Sequence, residues 1–232
     1  MNKLHTETWT DYGCFFGGIK LIYREMVAEY KIRLLRTDKN NVIINSTAVR
    51  RALGCEEKHV LSYALNELEQ LGSLTRVCED VYEHVLQTRF GMKHVTDESI
   101  IKLMTSNQHG TAYGYLLFNR LGLTTQIGKK QEVLTCYIDN EHQRVHGVDA
   151  MRVCPKDGMD WLLIEVMEVL ASWTSIEDVR HTAVREYLTD ARARISNDGL
   201  NRMNELNRYD IRVLSMANDL ARYGAESIFT RP

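Results

Sequence analysis

Lys58, His59, Ser62, Tyr63 and Asn66 are separated by one, three, one and three residues, a spacing that places all five on one face of a single helix. Their side chains offer the donors and acceptors that bond base edges and phosphates. The opposite face carries Val60, Leu61, Ala64, Leu65, Leu68 and Leu71, a stripe wide enough to pack on a small core. This helix is predicted to start near Glu56 and to stop at Gly72, a C-cap glycine. A shorter helix precedes it, N-capped by Ser46, with Val49, Ala52 and Leu53 on one side and Gly54 turning the chain at its end.

The elements around this pair complete a recognisable order. A first helix is predicted over residues 18–36, with Ile19, Ile22, Met26, Tyr30 and Leu34 along one side. The turn at 38–41 leads into a strand at Val42, Ile43 and Ile44. After Gly72 the runs 74–77 and 81–85 alternate about Glu79 and Asp80, as a two-stranded hairpin does. Helix, strand, two helices and hairpin is the order of a winged helix-turn-helix, which sets one helix in the major groove of duplex DNA. Its candidate DNA contacts are Arg50, Arg51, Lys58, His59, Ser62, Tyr63, Asn66 and Arg76.

Charge qualifies that expectation. The net charge of -2 gives no phosphate attraction overall. Residues 19–52 hold eight basic residues and three acids, whereas residues 53–86 hold two basic residues and seven acids. The lobe is therefore neutral but polarised, and Arg50, Arg51 and the arginines of the first helix must supply most phosphate contacts. The alternative is a winged unit that contacts protein, for which the acidic turn at Glu79 and Asp80 is the main support.

Other chemistry has weaker patterns. Cys136, His142, His146 and Cys154 follow the spacing C-x5-H-x3-H-x7-C, and these ligand types suit zinc. The spacing is loose, with the first cysteine mid-strand and the histidines in a polar turn, so separate cysteines and solvated histidines are expected and no metal. No glycine-rich phosphate loop or G-x-S-x-G elbow occurs, and Asp157 and Asp160 read as a helix cap and a first-turn acid. The expectation is a protein that is not an enzyme and uses no cofactor. Arg180, Arg185, Arg192, Arg194, Arg202, Arg208 and Arg212 lie among five acids, mostly as solvated helix faces; Arg192 and Arg194 are candidates for contact with DNA or a partner.

The 232 residues, 44% of them hydrophobic, allow two small domains. Residues 1–18 read as an aromatic leader with Trp9, Tyr12, Phe15 and Phe16, residues 19–90 as the winged domain, and residues 91–232 as a second, mixed α/β domain ending in a helical bundle. The class expected is α+β. In the second part a helix capped by Thr96 and another over 115–121 are predicted, with strands at 123–127, 132–138 and 150–153 and helices around Trp161, Val184 and Leu214. No apolar run is long enough to span a bilayer, residues 1–20 lack a signal peptide's pattern, and five scattered cysteines do not form a secreted disulfide framework. A reduced, cytoplasmic protein is expected.

The run GTAYGYLLFNRLGLTTQI at 110–127, followed by a strand ending VLT at 133–135, resembles the core signature of AbiEi-type antitoxins. NELEQLGSLTRV at 66–77 with Val81 and Tyr82 resembles the same family's recognition-helix end and wing. The resemblance covers roughly residues 19–190 and departs from the family pattern at Glu79 and Asp80, where a basic residue and a glycine are usual, and at Gly128, often proline. It implies a winged domain that represses its own operon at promoter inverted repeats; the modest phosphate attraction of a neutral lobe calls separately for a homodimer or tandem sites. The resemblance also implies a C-terminal domain that neutralises a nucleotidyltransferase-like toxin. By resemblance, Arg50, Lys58, Ser62, Tyr63 and Arg76 fall on the DNA-facing helix and wing, and residues 121–126 on the antitoxin signature, where Arg120, Thr124, Thr125 and Gln126 are candidates for partner contact. A transcriptional regulator without a toxin partner, or a protein-interaction scaffold, is the alternative.

Overall fold

A computed structural model describes residues 17–55, 57–106, 109–155, 160–196 and 208–230, together with Gly199 and Arg202; for residues 17–23 it describes the backbone alone. The aromatic leader up to Phe16, the helix-starting Glu56 and the cap assigned to Asp157 lie outside the described residues.

Helix α1 (Gly17–Leu35) leads through a turn to the short strand β1 (Ile43–Ile44). Ser46 accepts a hydrogen bond from the Val49 N–H and so caps α2 (Thr47–Leu53), which ends at Gly54 with φ +68°. That left-handed turn is why glycine stands there: a side chain would be strained and would crowd the Arg33 guanidinium. Helix α3 (Lys58–Gln70) follows, then β2 (Leu74–Cys78) and β3 (Val81–His84). The three strands form one antiparallel sheet in the order β1-β3-β2, with Ile43 opposite Tyr82 and a bulge in β2 between Arg76 and Cys78.

Val27, Tyr30 and Leu34 of α1 pack on Val60, Leu61, Ala64, Leu65 and Leu68 of α3, over Ile43, Leu74 and Tyr82 of the sheet. Central strand β3 is buried on both faces. Tyr82 belongs to the α1–α3 core, and Val81 to a second apolar cluster on the sheet's other side.

A small hairpin, β4 (Leu86–Thr88) and β5 (Gly91–Lys93), joins this unit to the remainder. Then come α4 (Asp97–Thr105, capped by Thr96), β6 (Gly110–Tyr113), α5 (Gly114–Arg120), β7 (Gln131–Thr135), β8 (His142–Val145) and β9 (Val148–Arg152). Their four strands lie in the order β6-β7-β9-β8, antiparallel except for the β7–β9 pair. The expected strand at 123–127 is absent. The Thr124 hydroxyl accepts from the Gln126 N–H at 3.1 Å, a local turn that competes with an extended ladder. Strands β6 and β8, in contrast, occupy stretches read as a helix approach and a polar turn.

Among the described residues the remainder holds α6 (Trp161–Ser172), α7 (His181–Arg194), α8 (Ile211–Tyr223) and α9 (Glu226–Phe229). Asp160, read as a first-turn acid, is the N-cap of α6 and accepts from the Leu162 N–H. Leu117 and Phe118 of α5, Val166 and Met167 of α6, Val184 and Leu188 of α7 and Leu220 of α8 form the largest core. Helix makes up 49% and strand 18% of the described residues, which with mainly antiparallel pairing places the chain in the α+β class. No described helix is long and apolar enough to cross a membrane. The two halves share a seam, since Val42, Ile44 and Val81 pack with Ile100 and Met104 of α4 and with Val133, Val145 and Val148 of the second sheet.

Candidate nucleic-acid interface

Helix α3 presents the polar face anticipated from its spacing. Lys58, His59, Tyr63 and Asn66 are exposed, whereas Val60, Leu61, Ala64, Leu65 and Leu68 of the apolar stripe are buried; Leu71, expected on the same stripe, lies just past the helix end and is exposed. Within that face the side chains are already networked. Lys58 Nζ lies 3.7 Å from Asp80 Oδ2, and His59 Nε2 lies 2.9 Å from Glu57 Oε2. Ser62 Oγ accepts from Asn45 Nδ2 at 2.8 Å and donates to the Lys58 carbonyl at 2.9 Å, so it is half-buried and ties β1 to α3. Asn66 Oδ1 accepts from Arg76 Nη2 at 2.7 Å and from the Tyr82 hydroxyl at 3.2 Å. Arg76 also meets Glu69 at 3.1 Å and stacks over the Tyr82 ring. The pairs of Lys58 with Asp80, His59 with Glu57 and Arg76 with Asn66 and Glu69 lie at the surface, where such energies are small and the contacts exchange readily for a ligand's oxygens, whereas the bonds to the buried Asn45 and Tyr82 are structural.

The two arginines of α2 part company. Arg51 is exposed. Arg50 is only 9% exposed: its guanidinium donates to the Asn45 carbonyl and side chain, to Thr47 Oγ1 at 2.8 Å and to Asp139 Oδ2 at 3.4 Å. The expectation that Arg50 meets phosphate from the surface is therefore corrected, because the side chain folds inward onto its own loop and onto the second half of the chain. Burial opposes ionisation of Asp139, yet hydrogen bonds from Thr47 and the charge of Arg50 outweigh it and hold the carboxyl below its ordinary range.

Turn residues Glu79 and Asp80 do not form a free tip. Asp80, at φ +58°, bonds Asn45 Nδ2, and the Glu79 carbonyl accepts from Gln143 Nε2 at 2.7 Å.

The signature at 121–127 has its polar groups engaged in holding the α6–α7 connection. Thr124 is buried and donates to the Glu177 carbonyl at 3.2 Å; Gln126 Nε2 donates to Asp178 at 2.6 Å. The Arg180 N–H donates to the Leu123 carbonyl at 2.9 Å, and its guanidinium donates to the Gly122 carbonyl. Thr125 and Arg120 are exposed, the latter with Nη1 3.5 Å from Thr105 Oγ1. Arg192 donates to the Ala221 carbonyl at 3.2–3.3 Å, fastening α7 to α8, while Arg194 is exposed. The signature and the arginine pair thus lie apart from the α3 face.

Cys136, His142, His146 and Cys154 are not brought together as a metal centre. Cys136 Sγ lies 3.7 Å from His109 Nδ1, His142 and Cys154 are exposed, and His146 Nε2 lies 3.3 Å from Glu83. Among the described residues no group of three or more suitable side chains converges for a metal ion.

Two buried carboxylates escaped the sequence reading. Glu83, 1% exposed, meets His94 Nδ1 at 2.6 Å, the Val95 N–H at 3.1 Å and His146 Nε2 at 3.3 Å. Burial raises its affinity for a proton, but the bonds from His94, Val95 and His146 prevail and the carboxyl is held low. Glu168 accepts from Arg208 Nε at 2.9 Å and from the Tyr209 hydroxyl at 2.8 Å, and there burial prevails and raises its pKa. Alternation marks Glu83 as an outward residue of a hairpin; it is closed over by His94 and Val95, before α4, and by His146 in the turn between β8 and β9. No model of a known protein family matches the chain, and no curated protein matches it.

Proposed function

We propose that the chain is a DNA-binding regulator whose residues 19–90 act as a winged helix-turn-helix, with α3 as the helix that enters the major groove. The observation that carries this is the face of α3: Lys58, His59, Tyr63 and Asn66 are exposed, while Val60, Leu61, Ala64, Leu65 and Leu68 on the other face are buried. Support also comes from the order α1, β1, α2, α3, β2, β3 and the sheet order β1-β3-β2, which suit that motif. In its fuller form the proposal is an antitoxin that represses its own operon and neutralises a nucleotidyltransferase-like toxin through the C-terminal part. The sequence resemblance at 66–82 and 110–135 alone supports that extension.

Titration of a labelled duplex from the chain's own upstream region, against a scrambled duplex and over a salt series, tests the DNA step. The expected result is tighter binding to the native duplex, with affinity falling as salt rises. Rescue of cells expressing a neighbouring nucleotidyltransferase tests the antitoxin step. A second reading, a winged scaffold that binds protein, is favoured by the inward Arg50 and the engaged hairpin turn. Equal, weak binding to both duplexes at low salt would decide for it.

A further inference from the structure

The start of α2, the β2–β3 turn and the first turn of α3 meet at one end of the N-terminal unit, where Asn45 bonds both Ser62 and Asp80 and Lys58 faces Asp80. In a helix-turn-helix the first helix of the pair crosses the phosphate backbone while the second enters the groove, so this end is the one that approaches duplex DNA. Here a segment of the second half of the chain already occupies it. Asp139, in the loop between β7 and β8, places its two carboxylate oxygens 3.0 and 3.1 Å from the Thr47 N–H. Its Oδ2 also accepts from the Thr47 hydroxyl at 3.2 Å and from Arg50 Nη2 at 3.4 Å. Four residues on, Gln143 donates to the Glu79 carbonyl at the hairpin turn, and Cys78 Sγ lies 3.4 Å from the Arg144 carbonyl.

We infer that this contact is autoinhibitory: the carboxylate of Asp139 takes the Thr47 and Arg50 donors that a DNA phosphate would otherwise engage, and full DNA binding requires residues 139–141 to withdraw. The inference rests on the DNA-binding function proposed above and adds its regulation. Three features make the contact suited to release. Asp139 is partly exposed, and its side chain meets Arg50 at 3.4 Å rather than in a close bidentate pair. Its neighbours Asn140 and Glu141 are exposed. The apolar seam beneath, with Ile138 and Val145 fully buried on either side of the loop, anchors the second sheet while the loop itself moves. A carboxylate at this position also opposes an incoming phosphate by charge, so its removal relieves repulsion and frees three donors together, the Thr47 N–H and hydroxyl and Arg50 Nη2.

The test uses the full chain and a labelled duplex from its upstream region, with wild type, Asp139→Asn, Asp139→Ala and the α3 variant Lys58→Ala. Both Asp139 variants are expected to bind about tenfold tighter than wild type, within the usual range for coupling between two states. Their salt dependence should be steeper by about one released counterion, and Lys58→Ala should weaken binding. Addition of duplex to wild type should speed amide hydrogen exchange in residues 140–142. If wild type binds and Lys58→Ala weakens it while neither Asp139 variant binds tighter, DNA binding stands and the autoinhibition is overturned. If no variant binds duplex even at low salt, the DNA-binding function itself fails and takes the inference with it. Melting curves for each variant show that it is folded at the assay temperature, and the near-isosteric asparagine covers the case in which alanine is not.

Discussion

The outer face of α3 and the segment at 121–127 both offer a cluster of uncharged polar side chains, Ser62, Tyr63 and Asn66 on the one and Thr124, Thr125 and Gln126 on the other, yet they are built for different ends. On α3 the polar groups bond mostly to other exposed side chains, as Lys58 does to Asp80 and Asn66 to Arg76. In 121–127 they bond across the fold to the 177–180 connection, with Thr124 buried against the Glu177 carbonyl. The difference teaches that a polar residue's partner decides its role. A buried side chain that holds a backbone carbonyl fixes structure, and one paired loosely with another side chain at the surface stays available to a ligand.

The comparison breaks most easily at the core behind α3. Leu65 is fully buried against α1, so Leu65→Ala should cost about 2–5 kcal/mol, read as a drop in denaturant midpoint and melting temperature. A loss within experimental error would mean that α3 is not seated as described. Thr124→Val sharpens the other side. It leaves the Glu177 carbonyl and the Gln126 N–H without their hydroxyl partner and should cost about 1–3 kcal/mol, with DNA affinity unchanged. Weaker DNA binding from a fully folded Thr124→Val protein would instead place the segment in the interface.

Acid should act on the seam between the halves, through Glu83 and Asp139, and within the N-terminal unit at His84, which meets Thr37. Glu83 and Asp139 have carboxyls held below their ordinary values, and burial, followed by the charge of Lys39, lowers the His84 imidazole. In all three cases the unfolded chain binds more protons between the two values, so stability falls as pH falls. The loss should begin below about pH 6.5 through His84 and steepen below about 4.5 as Glu83 and then Asp139 are protonated. Urea midpoints measured across this range should show that profile, and Glu83→Gln should flatten its lower part; an unchanged profile in the variant would remove Glu83 from the account. The smallest stability effect belongs to Lys58→Ala on the exposed face, within about 0.5 kcal/mol of wild type by denaturation.

Much of the N-terminal unit was legible because its signals are local. Ser46 caps α2, Gly54 turns the chain, and the 3.6-residue stripe on α3 and the alternation about Glu79 and Asp80 each specify an element from within it. What escaped depends on residues far apart in the chain. Nothing near Arg50 announces Asp139, 89 positions later, and an outward position in a hairpin becomes buried at Glu83 because His94, Val95 and the distant His146 close over it. Strand β8, with exposed His142 and Arg144 on a sheet edge, has the composition of a turn. At 123–127 the β-branched pair Thr124 and Thr125 resembled a strand, and the hydroxyl-to-backbone bond at Thr124 won instead.

The central claim is that the exposed face of α3 reads duplex DNA, and one measurement meets it directly: the affinity of wild type and of a Lys58→Ala, Tyr63→Ala double variant for the native upstream duplex and its scrambled counterpart. The account predicts that the double variant keeps its fold and loses most of the preference for the native duplex, at about 1–3 kcal/mol for each base contact removed. A double variant that discriminates the two duplexes as well as wild type does would contradict it.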